Sequence, residues 1–316
     1  MSFIRIIKKN SNFDFLGRQK VFLLLSLIVI VASLGSMFIR GMNYGIDFAG
    51  GVEMQLKFSK DPGIESVRQT LESSGFREAS VQSFGEQDSH EYLILFKSKN
   101  LKKSDQTQTE EQALAEFSAK VTDVFAQKGA VDIRRMDMVG AKVGSDLKLA
   151  GLLSVLFSLI LILIYIWFRF EYKYAPGAIL ALVHDVIVTM GVLSFLQKEF
   201  NLSIVAGLLT IVGYSINDTI VIFDRIRENV QSRGQDLFKD LVNKSVNETL
   251  SRTILTTLLT LFVVIAFFVD GGGIIHDFSL TLLVGMISGT YSTVFVASPV
   301  LLWIHNRQVK ASSLSS

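Results

Sequence analysis

The chain has 316 residues, 49% of them hydrophobic, with a mean hydropathy of +0.42, a composition that excludes the pair of soluble domains such a length would ordinarily suggest. Lys and Arg total 31 against 29 Asp and Glu, and a net charge of +2 marks neither a nucleic-acid binder nor a strongly acidic surface. The absence of cysteine removes disulfides, thiolate catalysis, iron–sulfur clusters and cysteine zinc sites.

Residues 1–20 carry Arg5, Lys8, Lys9, Arg18 and Lys20 ahead of an uncharged run, Val21 to Ile39. The run is longer than the about 7 to 15 residues of a signal-peptide core, and Ser33-Leu34-Gly35 is a mediocre cleavage site, so an uncleaved helix at 21–39 is expected. Residues 40–146 are polar. Val52 to Phe58 alternates as a strand; Pro62 opens a helix through Val67 and Leu71 that stops near Gly75; Ala79 to Phe84 and Tyr92 to Phe96 read as strands. A polar linker, Lys97 to Gln108, leads to a helix over Thr109 to Gln127 with Leu114, Phe117, Val121 and Phe125 on one face, then a strand over Val131 to Val139. The order β-α-β-β-α-β predicts one ferredoxin-like α+β domain, with Val52, Met54, Leu56 and Phe58 under the helices and Glu53, Gln55 and Lys57 on the opposite face.

Five more apolar runs follow within 147–304: Leu147 to Trp167, Ala175 to Leu196, Leu202 to Phe223, Thr253 to Val269 and Phe278 to Ile304. At about 20 residues per crossing, the fold class is a polytopic α-helical membrane protein with six transmembrane helices. The polar stretch 224–251 has a helical pattern and is expected to lie along the cytoplasmic interface; 305–316 is a tail. With the N-terminus inside, fifteen basic residues fall in cytoplasmic pieces and one, Lys198, in a short outside loop. That bias makes both termini cytoplasmic and the 40–146 domain extracytoplasmic.

A charged side chain at mid-bilayer costs about 2.5 to 3.5 kcal/mol, which makes carboxylates inside apolar runs the strongest functional signal. Asp185 follows His184 in the third run, and Asp218 lies in Tyr214-Ser215-Ile216-Asn217-Asp218-Thr219 of the fourth. Each is either a proton- or ion-carrying site or a polar helix-packing contact. Ser245, Thr249, Arg252, Thr256 and Thr260 recur at spacings of 4, 3, 4 and 4, which predicts one polar stripe on the fifth helix. Arg252 on that stripe is either the partner of a carboxylate or a snorkelling interfacial arginine. A carboxylate set between a cation and apolar surroundings can load and release a proton when helices shift. Asp224, Arg225, Arg227 and Glu228 read as a solvated cluster at a helix end, and Gly285 with Gly289 as a packing motif. Gly140 to Gly144 lacks the Lys-Ser/Thr ending of a P-loop, no H-E-x-x-H or G-x-S-x-G occurs, and the four histidines are scattered. No cofactor, metal or catalytic residue is expected, and the chain does not read as an enzyme.

Gly45-Ile46-Asp47-Phe48-Ala49-Gly50-Gly51, Val183-His184-Asp185-Val186 and the long stretch from Gly213 to Glu228 resemble the SecD/SecF family of bacterial protein-export membrane proteins, on its SecF side, within the resistance-nodulation-division superfamily. The resemblance covers the whole chain. It implies the cytoplasmic (inner) membrane, a SecD-type partner, the SecYEG channel and through it SecA and YajC, and use of the proton-motive force to assist late export of unfolded preproteins. It maps the membrane-embedded acid and arginine onto Asp218 and Arg252, beside which Asp185 stands as a further proton-coupling candidate. The family-motif positions are Gly45, Asp47, Gly50, Gly51, His184, Asn217, Thr219, Asp224 and Arg225. Taken by composition alone, Gly45 to Gly51 is a turn in which Asp47 and the glycines shape backbone. A half-sized proton-driven small-molecule exporter of the same superfamily is the alternative function; an intramembrane hydrolase using His184 and Asp185 lacks a nucleophile. Proton and sodium coupling both suit a membrane carboxylate.

Overall fold

A computed structural model describes residues 12–76, 79–84, 89–97, 110–126, 131–233 and 236–315. Arg5, Lys8, Lys9, the linker beyond Lys97, and the expected helix ends Thr109 and Gln127 lie outside the described residues. Among the described residues, six helical stretches are long and apolar enough to cross a membrane: Gln19–Ile39, Ala141–Arg169, Ala175–Phe195, Leu202–Ser232, Phe238–Asp270 and Gly273–Ala311.

The first, α1 (Gln19–Ile39), is apolar all round and buries chiefly Ser26 and Ser33. A short strand β1 (Asn43–Tyr44) and one helical turn α2 (Ile46–Ala49) lead into the α+β domain. There β2 (Gly51–Phe58) points Val52, Met54, Leu56 and Phe58 into a core shared with Val67 and Leu71 of α3 (Ile64–Ser73) and with Phe117, Val121 and Phe125 of α4 (Glu110–Phe125). With β3 (Ser80–Phe84), β4 (Glu91–Lys97) and β5 (Val131–Val139), the sheet has the order β3-β4-β2-β5, every neighbour antiparallel. The β-α-β-β-α-β succession expected from the alternation is present, and the apolar side of β2 lies under the helices. The opposite face is not wholly free. Leu93 and Leu95 of β4, which point that way, are buried, and the β3 side of the sheet leans on the ends of the membrane helices.

The membrane part continues with α5 (Ala141–Arg169), α6 (Ala175–Phe195), a two-residue strand β6 (Glu199–Phe200), α7 (Leu202–Ser232), α8 (Phe238–Asp270), α9 (Gly273–Ser292), a π-helical turn (Thr293–Ala297) and α10 (Ser298–Ser315). Helix α5 starts six residues before the apolar run, because hydropathy marks the part of a helix that meets lipid and not the helix itself. About half of the apolar window is buried in α6, α7 and the α9–α10 stretch, whereas α1, α5 and α8 turn most of theirs outward.

The stretch 224–251 departs from expectation. In place of a helix lying along the interface, α7 and α8 run on as helices of 31 and 33 residues joined at 233–237. At about 1.5 Å per residue they exceed a ~30 Å hydrocarbon core, so their ends project as a pair. Leu241, Val242 and Val246 form a buried seam between helices, not a lipid-facing stripe. Polar bonds lock it: Arg225 to Glu248 at 2.6 Å and Asn229 Nδ2 to Ser245 Oγ at 2.8 Å. The segment before α1 docks on the same pair, Asn243 and Asn247 each accepting a backbone N–H (from Phe15 and Phe13) and each donating to the Phe13 carbonyl.

Candidate functional site

Asp185 lies at the centre of the membrane helices, 1% exposed, on a stretch of α6 whose small residues admit close neighbours. Its Oδ1 accepts from Ser288 Oγ at 2.7 Å and lies 3.1 Å from His184 Nδ1; its Oδ2 accepts from Ser215 Oγ at 2.7 Å and Ser292 Oγ at 2.8 Å. The serines come from α7 and α9. Gly289 makes that approach possible, since a Cβ there would stand 2.9 Å from the Ser215 side chain, and Gly285 one turn away abuts Ile211. The two glycines and two serines of α9 fall at i, i+3, i+4 and i+7, a single face legible in the sequence. Its meaning emerges only with Asp185 opposite. The His184 ring stacks on Tyr291, whose hydroxyl donates to the Phe22 carbonyl of α1 at 2.8 Å; His184 Nε2 is buried without a partner among the described residues.

Asp218 is differently placed. It is 5% exposed, and among the described residues its carboxylate makes no hydrogen bond or ion pair. Among the described residues, the cation whose charge reaches it is Arg252. Counted from the helix ends nearest the α+β domain at about 1.5 Å per residue, Asp218 lies about 24 Å into α7 and Arg252 about 27 Å into α8, so the two share a depth. The polar stripe of α8 divides. Ser245, Thr249, Thr253 and Thr257 form the buried row, while Arg252 and Thr256 stand on the exposed side, where the Thr256 and Thr260 hydroxyls donate back to carbonyls one turn earlier. A 4-3-4-4 spacing straddles two adjacent helix rows, and packing against α7 and α9 selects the 4-4-4 row.

Beside Asp218, α7 presents Ala206, Thr210, Gly213 and Asn217 uncovered, a small and polar strip unlike the Leu152, Phe157 and Leu161 that α5 exposes. Thr219 turns inward to Thr293 in the π-helical turn at 3.1 Å, Asp224 meets Arg169 at 3.4 Å, and Arg225 bridges Glu228 and Glu248.

The glycine motif forms a joint. β1 pairs in parallel with β6, Gly45 N donates to the Phe200 carbonyl at 3.0 Å, and Asp47 Oδ2 accepts the Leu202 amide at 2.9 Å. Gly50, at φ +72°, passes where a Cβ would come 2.9 Å from the Ala141 backbone, and a Cβ on Gly51 would overlap the Phe96 carbonyl. Asp47 therefore does more than shape a turn.

Around this joint lies a cleft of about 430 Å³ lined by Arg68, Glu72, Lys97, Lys198, Glu199 and Asp277. Lys198 pairs with Asp277 at 2.8 Å, and Lys97 donates to Asn43 Oδ1 at 2.6 Å. Burial pushes the Glu199 carboxyl above the ordinary glutamate range; a hydrogen bond from Ser80 and the charge of Lys97 oppose this, while Asp277 and Asp47 add to it. A carboxyl raised in the folded state lends stability that is full below its unfolded pKa and lost as pH rises through the folded one. Protection of the Gly45 amide, corrected for intrinsic exchange, is therefore expected to fall on that rise in the parent chain and to stay flat in Glu199→Gln; identical profiles would show that Glu199 does not control the joint.

A family model described as the C-terminal part of the protein export membrane protein SecD/SecF matches residues 119–307, and one described as the SecD/SecF GG motif matches residues 35–62. The protein translocase subunit SecF of Magnetococcus marinus is 46% identical over 299 residues, 95% of this chain and 94% of that protein. That of Calditerrivibrio nitroreducens is 43% identical over 305 residues, 96% and 97% of the two chains. Among solved structures, SecDF from Thermus thermophilus, described as a translocon-associated membrane protein, superposes with a TM-score of 0.79 at 34% identity; the match covers 95% of this chain and 40% of that one.

Proposed function

Since the chain belongs to the SecD/SecF family of protein-export membrane proteins, we propose that it is a SecF-type auxiliary subunit of the Sec preprotein translocase that draws on the proton-motive force to assist late export. It is a multi-pass membrane protein, and the positive-inside bias argues for cytoplasmic termini with the α+β domain outside. The observation that carries the assignment is a likeness along nearly the whole chain, 46% identity over 95% of it. The ion-coupled part is supported by Asp218, a carboxylate in an apolar helix that has, among the described residues, no hydrogen-bond or ion-pair partner and only the charge of Arg252 acting on it.

A SecD-type subunit is the partner, against which the uncovered strip of α7 packs; this chain spans only 40% of the matched SecDF chain, which leaves room for such a part. By family the SecYEG channel follows, and through it SecA and YajC. Each charge moved through 100 mV supplies about 2.3 kcal/mol, enough to shift a domain interface but not to unfold a stable substrate, so the unfolded preprotein is pulled or clamped. In cells depleted of their own SecD and SecF, this chain with its SecD partner should restore export of a slowly processed preprotein. Resistance to a toxic small molecule without restored export would favour the exporter alternative.

A further inference from the structure

The helix that carries Asp218 is tied to the glycine motif through Asp47. Leu202 opens α7, and its amide is one of the orphan donors of a helix start. That amide donates to Asp47 Oδ2, 155 residues earlier in the chain. The local cap, Asn201, is already engaged with the Ile204 amide at 3.0 Å, so Asp47 is an additional, long-range cap whose charge suits the positive end of the helix. Asp47 cannot shift alone. Gly45 and the β1–β6 bridge fix one side of it, and on the other Gly144 of α5 abuts the backbone of Phe48 and Gly50, where a Cβ would come within 3.1 Å. The backbone then enters β2 directly through Gly51.

We infer that Asp47 is the positioning residue through which movement of α7 reaches the outer domain, an inference that rests on the ion-coupled reading of Asp218. A helix transmits an axial shift along its length, whereas a two-residue strand bridge is weak by itself. The charge-assisted bond from Leu202 to Asp47 supplies the missing stiffness.

The tie can be cut from either side. Asp47→Ala removes the acceptor, and Leu202→Pro removes the donor. Proline suits the first helical position, where its missing N–H belongs to no helix bond, and Asn201 before it is already extended at φ −126° and ψ −178°. The Leu202 side chain is 40% exposed, so little packing is lost. In the full complex of this cysteine-free chain, spin labels at Ser74 on the domain and Leu196 at the end of α6 report the seam. Each variant is expected to broaden the distance distribution, the double variant no more than either single one. Gradient-dependent export should fall several-fold in both while ion flux through the complex persists, and Asp47→Asn, which keeps an acceptor oxygen, should recover most of it. Unchanged distributions would overturn the tie whatever drives the protein. Broadened distributions with undiminished export would overturn its coupling role. Should Asp218→Asn keep its stimulation, the ion-coupled reading fails and the coupling role with it, while the distances still decide the tie.

Discussion

Asp218→Asn and Arg252→Met are each expected to reduce export by the reconstituted translocase to the level seen without a gradient, with expression and complex formation unchanged. Asparagine has the shape of aspartate but cannot exchange a proton, and because the Asp218 carboxylate has no hydrogen-bond partner among the described residues, the replacement breaks no contact. Methionine keeps much of the arginine stem, so packing persists while the Arg252 charge that acts on Asp218 disappears. Arg252→Lys, which retains a cation on a shorter reach, should recover part of the stimulation. The measurement is preprotein uptake by proteoliposomes under an imposed proton gradient. Full stimulation by either primary variant would make that residue structural.

Asp185→Leu should be the most destabilising single change in the membrane part. Ser215, Ser288, Ser292 and His184 all direct polar atoms at this carboxylate, and leucine takes away the acceptor they share inside a site 1% exposed, leaving Ser292 only the Gly289 carbonyl at 3.2 Å and Ser288 only His184 Nδ1 at 3.4 Å. Each hydrogen bond to a charged group is worth about 1.5 to 3 kcal/mol, so losing those from the three serines is expected to cost at least about 3 kcal/mol even with the weaker bonds that remain. Asp185→Asn should cost far less, since serine hydroxyls can turn to donate or accept. Thermal unfolding in detergent reads the difference as a drop of many degrees for leucine and a small one for asparagine. Equal midpoints for leucine and the parent would remove the cluster from any account of how α6, α7 and α9 are held. The geometry separates the two acids: both oxygens of Asp185 are engaged by side chains of α6, α7 and α9, whereas the Asp218 carboxylate has no hydrogen-bond partner among the described residues.

What the sequence made legible was local in range. Six apolar runs gave six crossings, and the alternation from Val52 to Phe58 gave both the strand and the face that meets α3 and α4. Helix extents were not legible in the same way: α5, α7 and α8 continue through polar residues outside the apolar slab, where hydropathy falls although the helix does not stop. Long-range polar contacts were the least visible. Asp47 and Leu202 are separated by 155 positions, and a backbone amide leaves no mark in a sequence. Ser215, Ser288 and Ser292 look like the small residues any membrane helix uses for packing until a carboxylate is found opposite them. Arg252 was found by its charge, but the row it occupies depended on which of two nearly equivalent helix faces α7 and α9 would cover.

Co-purification from native membranes in mild detergent tests the central claim most directly. The expected result is a SecD-type chain recovered in fixed proportion with this one, accompanied by SecYEG components. Recovery of the chain alone, or with the parts of a small-molecule efflux system in place of a SecD-type chain, would contradict its assignment to preprotein export.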